Sequence, residues 1–164
     1  MSQKMADLFK SITTGVYVVG VAVNEQKNAF TAAWVMPVSF QPLLLALSIN
    51  PRHSSYQLLK KSGAFSINVL RQEQMDVAEH FGRPAQADKL AAADWRPGVT
   101  GAPLLNDVLA YFECKVVAEY VTGDHRLVTG RVLDGILLQA DAVALKYADI
   151  GDMDGASDIF PDAF

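Results

Sequence analysis

The feature that most constrains the fold of this chain is a series of short apolar, β-branched segments separated by polar turns. Residues 16–23 read VYVVGVAV, and a polar turn follows at 24–27. β-branched residues favour extended backbone, and a turn between two such segments is typical of a hairpin. The other strands are predicted at 29–35, 43–49, 65–70, 109–121, 126–139 and 143–147, with short helices at 54–61 and 73–81 and a long loop at 82–103.

Short strands joined by turns, with few helices, favour an antiparallel barrel over a parallel doubly wound sheet. No GxGxxG or Walker sequence occurs, so a Rossmann or P-loop fold has no support. The length of 164 residues fits one domain. We predict this domain at 1–148, followed by an acidic tail at 149–164. Ile159, Phe160 and Phe164 in that tail are expected to dock on a surface or a partner.

The composition argues against several classes of protein. No apolar run approaches the roughly 20 residues that span a bilayer, and the first ten residues lack the apolar region of a signal peptide, so we expect a cytoplasmic protein without a membrane segment. The single cysteine, Cys114, excludes an internal disulfide and a zinc pattern, and we expect a small buried strand residue there. A net charge of −4 argues against nucleic acid as the main partner.

Charge is distributed unevenly along the chain. No acidic residue lies between Glu25 and Glu73. That stretch instead carries five basic residues, which are Lys27, Arg52, Lys60, Lys61 and Arg71. A basic, acid-free region in an acidic protein indicates an anionic ligand. Chance is the alternative, because much of this region is predicted to be buried strand, where acidic residues are rare.

The segment 50–56, NPRHSSY, is the first candidate site. It lies between a predicted strand and a predicted helix, and the first amides of a helix lack internal acceptors and carry partial positive charge. A phosphate placed there meets the hydroxyls of Ser54 and Ser55 and the guanidinium of Arg52. Asn50 and His53 are further candidate contacts. The alternative is that a serine only caps the helix and Arg52 is a solvated side chain.

Two other segments are candidate ligand contacts. Small residues in the strand Thr31, Ala32, Ala33 allow a planar ligand to approach the backbone, and Trp34 offers a contact surface; the alternative is a core strand in which Trp34 is packing. At the turn of the long hairpin, Asp124 can fix the tautomer of a histidine, His125, that donates to a substrate. A plain surface turn is the alternative.

These segments, in this order, resemble the flavin reductase-like family, which has the FMN-binding split-barrel fold. The resemblance runs from about residue 6 to 147. It is carried by SITTGVYVV at 11–19, TAAW at 31–34, PVSFQP at 37–42, NPRHSSY at 50–56, GAFSINVL at 63–70, EC at 113–114 and GDH at 123–125. The tryptophan version of the second motif looks more like the flavoredoxin and ferric-reductase-like branch.

The resemblance implies a mainly β fold: a six-stranded antiparallel split β-barrel of Greek-key type with a few short helices. It implies a homodimer with FMN, or alternatively FAD, at the subunit interface, and NAD(P)H as co-substrate. It assigns a catalytic role to His125 and Asp124 and no metal. The flavin contacts that it implies are Thr31, Ala32, Ala33, Trp34, Ser48, Asn50, Arg52, His53, Ser54, Ser55 and Asn68.

The activity implied is hydride transfer from NAD(P)H to the flavin, with reduced flavin feeding a partner oxygenase or another electron acceptor. Because a flavin carries this chemistry itself, no acid–base pair is required of the protein. Two alternatives stay open. One is a flavin-binding electron carrier without its own NAD(P)H site, and the other is a binding module for a different phosphorylated aromatic, such as pyridoxal phosphate or a haem-related ligand.

Overall fold

The computed structural model describes residues 4–84 and 88–164, and a seven-stranded antiparallel sheet dominates this part of the chain. The strands of this sheet are β1 (Tyr17–Val23), β2 (Gln26–Ala32), β3 (Val35–Ser39), β4 (Leu44–Ile49), β5 (Ala64–Val69), β8 (Ala110–Thr122) and β9 (His125–Leu137), while β6 (Trp95–Pro97) and β7 (Pro103–Leu105) form a separate pair. The helices in the described residues are α1 (Met5–Lys10), α2 (Tyr56–Ser62), α3 (Met75–Phe81) and α4 (Ala156–Ile159), with a 3₁₀ turn at Tyr147–Ile150. None of these helices is long and apolar enough to cross a membrane.

The order of strands in the sheet is β2-β1-β5-β8-β9-β4-β3, so β2 and β3 are its two edges. These edge strands are joined by only two residues, Ala33 and Trp34. Because an extended chain advances at most about 3.6 Å per residue, the sheet must curl to bring its two edges together at this link. The predicted mainly β, antiparallel architecture is therefore confirmed, with seven strands in the sheet where six were expected.

The additional strand arises because the segment predicted as one strand at 29–35 is divided. β2 ends at Ala32 and β3 begins at Val35, so the chain passes from one edge of the sheet to the other within the predicted strand. β3 contains Pro37, which lacks a backbone N–H. Proline is tolerated there because β3 is an edge strand and pairs on one side only.

Two other local predictions are wrong. Residues 143–147 form isolated bridges, Ala144 with Arg71 and Lys146 with Gly15, and no strand. Gly15 precedes β1 and Arg71 follows β5. This segment therefore crosses the ends of two paired strands and forms one bridge beside each of them. The predicted loop at 82–103 contains β6, whose Trp95 pairs with Leu105 in β7. Residues 85–87 of that loop lie outside the described residues.

The core has one apolar cluster on each face of β1. Val19 and Val21 pack in the first cluster, with residues such as Leu47 and Phe65. Val18 belongs to the second cluster, which lies beneath α3 and the segment around the 3₁₀ turn. A strand that is buried on both faces needs apolar residues at successive positions, which accounts for the unbroken VYVVGVAV run.

Cys114 lies fully buried in the first core cluster, as expected of a small strand residue. Burial raises the pKa of its thiol to about 12, with a smaller contribution from the neighbouring charge of Glu113. A thiol with so high a pKa stays protonated near neutral pH and is a poor nucleophile.

Candidate functional site

A cavity of about 440 Å³ lies where the β2–β3 link, the loop between β4 and α2, the β8–β9 turn and the C-terminal tail meet. Its lining residues are Phe30, Thr31, Ala32, Ala33, Trp34, Ser48, Ile49, Asn50, His53, Asp124, His125, Tyr147, Asp154, Ala156, Ile159, Phe160 and Pro161. The three candidate segments, separated in the sequence by up to about ninety residues, therefore contribute to one cavity. The curl of the sheet at the β2–β3 link is what brings them together.

One side of the cavity is formed by residues 30–34, which we call the strand wall. The Thr31 hydroxyl donates to the carbonyl of Ala78 in α3 at 2.6 Å, so this side chain is fixed on the helix. The carbonyl of Trp34 accepts from the backbone N–H of Ser48 at 2.9 Å, which ties the link to β4. The small side chains of Ala32 and Ala33 leave the backbone accessible to a flat ligand between these two fixed points.

The loop that follows β4 contributes Asn50 and His53 to the cavity. The His53 ring packs on Phe30 with centroids 4.3 Å apart, and its Nδ1 accepts from the backbone N–H of Ser55 at 3.1 Å. Burial, together with the positive charge of Lys89, lowers the pKa of His53 below its usual value of 6.5. The ring is therefore neutral at neutral pH, and with Nδ1 acting as acceptor the proton resides on Nε2, which offers a donor to a ligand.

The remaining residues of this loop have separate placements. Ser54 lines a different groove, of about 740 Å³, together with Lys27 and Lys61. Ser55 is fully buried, and its hydroxyl accepts from the Asn28 side chain at 2.6 Å. Arg52 is exposed, and its backbone N–H donates to the Asn50 side chain at 2.9 Å. The structure thus brings two of the five predicted phosphate contacts, Asn50 and His53, to the cavity.

Asn68 lies apart from the other predicted flavin contacts. It is buried in β5, where its amide nitrogen donates to the Val18 carbonyl at 2.9 Å and its oxygen accepts from the backbone N–H of Leu105 at 2.8 Å. Both ends of the side chain therefore hold β1 and β7 against β5. A role in linking the sheet to the β6–β7 pair accounts for this residue.

The β8–β9 turn places His125 beside Trp34, with ring centroids 5.0 Å apart. The Nδ1 of His125 lies 2.7 Å from a carboxylate oxygen of Asp124. This hydrogen bond lowers the pKa of Asp124, with smaller contributions from nearby charges that include Arg52. The carboxylate accepts a hydrogen bond from Nδ1–H, so Nε2 is the ring nitrogen that remains for a ligand.

The sequence prediction missed the side of the cavity opposite the strand wall. This tail wall consists of Asp154, Ala156, Ile159, Phe160 and Pro161. The available signal was the occurrence of isoleucine and phenylalanine in an otherwise acidic tail, which predicted docking without identifying the surface. Phe160 docks on this chain itself, with its ring centroid 4.8 Å from Phe9 and 6.2 Å from Trp34.

In residues 4–84 and 88–164, no group of three or more His, Cys, Asp or Glu side chains is arranged to hold a metal ion. The polar groups at the cavity are imidazoles, an amide, hydroxyls and carboxylates on separate elements. Together with the small strand residues and the aromatic rings, they form a site for a flat ring that carries polar edges. This arrangement is of the kind that binds organic cofactors, which are recognised by an apolar pocket with a few placed polar groups.

Comparison with known proteins gives the family. The family model described as "Flavin reductase like domain" matches residues 9–154. The "Probable flavin reductase" of Rhizobium meliloti is 39% identical over 129 residues, 78% of this chain but only 41% of that protein. The reductase component of 4-hydroxyphenylacetate 3-monooxygenase from Thermus thermophilus is 35% identical over 133 residues, 80% of this chain and 83% of that protein.

Among solved structures, the NADH:FAD oxidoreductase SgcE6 of Streptomyces globisporus C-1027 matches with a TM-score of 0.80 and 28% identity, covering 85% of this chain and 84% of that one. The family match covers most of the chain, including every element that lines the cavity except the end of the tail. The resemblance read from the sequence motifs is therefore confirmed. The chain belongs to the flavin reductase-like domain family.

Proposed function

We propose that this chain binds FMN, or alternatively FAD, in the 440 Å³ cavity and transfers a hydride to it from NADH or NADPH. The observation that carries the proposal is the convergence of the strand wall, the 50–53 loop and the His125 turn on one cavity in a member of this family. A bound flavin would supply the redox chemistry, accepting a hydride from the nicotinamide and storing two electrons. NAD(P)⁺ is then the oxidised product.

The residues present fit a flavin. The cavity volume lies within the range of about 300–1,000 Å³ that is usual for small-molecule sites. Ala32 and Ala33 allow a flat ring to reach backbone groups of the strand wall, and Trp34 offers an aromatic surface beside it. Asn50 and the Nε2–H of His53 supply donors at the loop end, where Arg52 adds a positive charge close to Asp124.

From these charges we infer which end of the cavity holds the phosphate of the flavin and which holds its ring. The phosphate is placed at the loop end, where Asn50 and His53 line the cavity and Arg52, exposed on the same loop, adds a positive charge. The ring lies along residues 31–34, next to His125. With Nδ1 hydrogen-bonded to Asp124, His125 presents Nε2 to the nicotinamide side and orients the hydride donor. The domain at 1–148 would then carry the flavin site, with the tail at 149–164 against it.

We further propose a homodimer built on a split barrel formed by this seven-stranded sheet, with the flavin at the subunit interface. Met36, Val38, Phe40 and Leu43 are apolar yet exposed, Phe40 to 96%. These residues border a cavity of about 640 Å³ whose other lining residues are largely apolar. A large exposed apolar surface of this kind marks an interaction site, and a second copy of the chain covers it symmetrically.

The acceptor of the electrons is proposed from the relatives. The Thermus thermophilus relative is named as the reductase component of a monooxygenase, so a partner oxygenase that takes reduced flavin is the acceptor we favour. The groove lined by Ser54, Lys27 and Lys61 follows the proposed phosphate end along the chain. Lys89 also lines it, but Glu25 and Asp88 offset most of the positive charge, so the groove gives no preference for FAD over FMN.

Anaerobic rapid mixing tests the proposed function. Protein loaded with FMN is mixed with NADH or NADPH, and the visible absorbance of the flavin is followed. We expect at least one nicotinamide to bleach the flavin much faster than in the same mixture without protein. If the protein binds FMN but neither nicotinamide reduces the bound flavin, the protein is an electron carrier without its own NAD(P)H site. Protein that binds neither FMN nor FAD contradicts the flavin site itself.

A further inference from the structure

We propose that the C-terminal segment is part of the ligand site, and that Phe160 is a further binding residue that contacts the ring system of the flavin. This inference rests on the proposed function, since it assigns a role to the tail wall of the same cavity. It concerns residues beyond the end of the family match at residue 154. The role is therefore one that the family resemblance does not assign.

The tail has a defined position against the domain. The Tyr147 hydroxyl donates to the Asp154 carboxylate at 2.5 Å, at the point where the tail reaches the cavity. Asp152 accepts from both the backbone N–H and the hydroxyl of Ser157, at 2.9 and 2.5 Å. Further back, the Lys10 ammonium donates to the carbonyl of Gly151. These contacts place α4 and Phe160, which directly follows it, at the cavity that the strand wall lines.

Phe160 belongs to a row of four aromatic rings, of which Phe160, Trp34 and His125 line the cavity. Phe9 packs on Phe160 at 4.8 Å, Phe160 on Trp34 at 6.2 Å, and Trp34 on His125 at 5.0 Å between centroids. Trp34 and Phe160 meet at an interplanar angle of 59°, so they form a corner and not a stacked pair. A flat ring lying along the strand wall contacts both the Trp34 ring and the Phe160 ring.

The polarity of the tail wall selects the part of the ligand that it contacts. Ile159 lines the cavity with 75% of its surface exposed, so an apolar surface is left for a ligand to cover. Asp154 adds a negative charge at the same side, which repels a phosphate, whereas the charge of Asp124 at the other side is offset by the nearby Arg52. The phosphate end therefore faces the 50–53 loop, and the uncharged ring system faces Phe160. Loss of the Phe160 ring must weaken all flavins alike, whether or not they carry a phosphate.

The test compares Phe160→Ala with Arg52→Ala, using FMN and riboflavin as ligands and the quenching of flavin fluorescence as the readout. Aromatic contacts contribute about 0.5–1.5 kcal/mol beyond area burial, which is about 2- to 12-fold in Kd. We expect Phe160→Ala to raise Kd by a factor in this range, equally for both ligands. Arg52→Ala is expected to raise Kd for FMN about tenfold or more and to leave riboflavin nearly unchanged. Phe164→Ala, at a fully exposed phenylalanine of the same tail, is the matched control and keeps the wild-type Kd.

Each outcome is decisive. Wild-type protein that binds neither ligand overturns the proposed flavin site and, with it, the role of the tail. If the wild type binds both, an unchanged Kd for Phe160→Ala overturns the tail proposal alone. Tighter binding by this variant also overturns it, because Phe160 would then compete with the flavin for the cavity. A selective loss of FMN in Phe160→Ala places the ring at the phosphate end and contradicts the assignment.

Discussion

The strand wall and the tail wall face the same cavity but are held in place by different means. The strand wall belongs to the sheet: Phe30 is 4% exposed and packs in the core cluster with Val19, Leu47 and Phe65. The tail wall is held from outside the sheet, by side-chain hydrogen bonds and by ring contacts of a partly buried Phe160. A single site thus combines a wall built into the core of the sheet with one held by hydrogen bonds and ring contacts outside it.

The difference teaches how stability is distributed around a binding site. Local opening costs least where few apolar contacts are buried and where hydrogen bonds lie near solvent. The strand wall is anchored by the buried Phe30, whereas in the tail wall only Ala156 is buried and the hydrogen bonds to Asp152 lie near solvent. Experiments that separate global unfolding from local detachment therefore distinguish the two walls.

The largest effect is expected at the base of the strand wall. Phe30→Ala leaves a cavity in the core, and Phe→Ala changes at buried sites cost about 3–5 kcal/mol. We expect the free energy of unfolding, measured by urea denaturation, to fall by about this amount. Phe160→Ala is the matched change in the tail wall, and we expect a loss of at most about 1 kcal/mol, because the ring is only partly buried. Equal losses in the two variants would remove the contrast between the walls.

A smaller effect is expected from the pH dependence of stability at His53, whose ring packs on Phe30 of the strand wall. Burial and the charge of Lys89 lower the pKa of His53 in the folded chain below 6.5. The unfolded chain therefore binds more protons below pH 6.5, so stability present above that pH is lost as the pH falls from 6.5 through the lower pKa of the folded chain. Urea unfolding measured between pH 8 and pH 5 should show this loss, and His53→Gln should reduce its slope.

The tail wall supplies the control for this pH dependence. Phe160→Ala removes no titratable group and leaves His53 in place, so the slope of stability against pH should match that of the wild type. If His53→Gln keeps the wild-type slope of stability against pH, the burial of this ring does not control the loss of stability in acid. The lowered pKa would then have no consequence for folding.

The strand wall could be predicted from the sequence because its signals are local. Small residues before Trp34, the NPRHSSY segment and the GDH turn each indicate a ligand contact, and the family resemblance orders them along one domain. Strand positions followed from β-branched runs for the same reason. The curl that joins β2 to β3 was not predicted, because it depends on which strands become the two edges of the sheet.

The features that the sequence did not predict depend on contacts between distant segments. Ser54 and Ser55 follow His53 directly, yet Ser54 lines a separate groove and Ser55 is buried and hydrogen-bonded to Asn28 of β2. The final predicted strand fails because it crosses the ends of β1 and β5. The tail wall was missed because Phe160 meets Phe9 and Trp34, partners more than 120 residues away in the sequence. Composition identified apolar residues there but carries no information about their partners.

The smallest effect is expected from loosening the tail wall alone. In Asp152→Ala, Ser157 loses the acceptor for both its backbone N–H and its hydroxyl, so α4 loses the contact that fixes its start. We expect faster hydrogen exchange at the amides of residues 155–161, with the urea midpoint of the whole domain unchanged within error. Asp162→Ala, at an exposed carboxylate of the same tail, is the control and should exchange like the wild type. A lower urea midpoint in Asp152→Ala would mean that the tail unfolds together with the sheet. Local opening and global unfolding could then no longer be separated, and the two walls would form one cooperative unit.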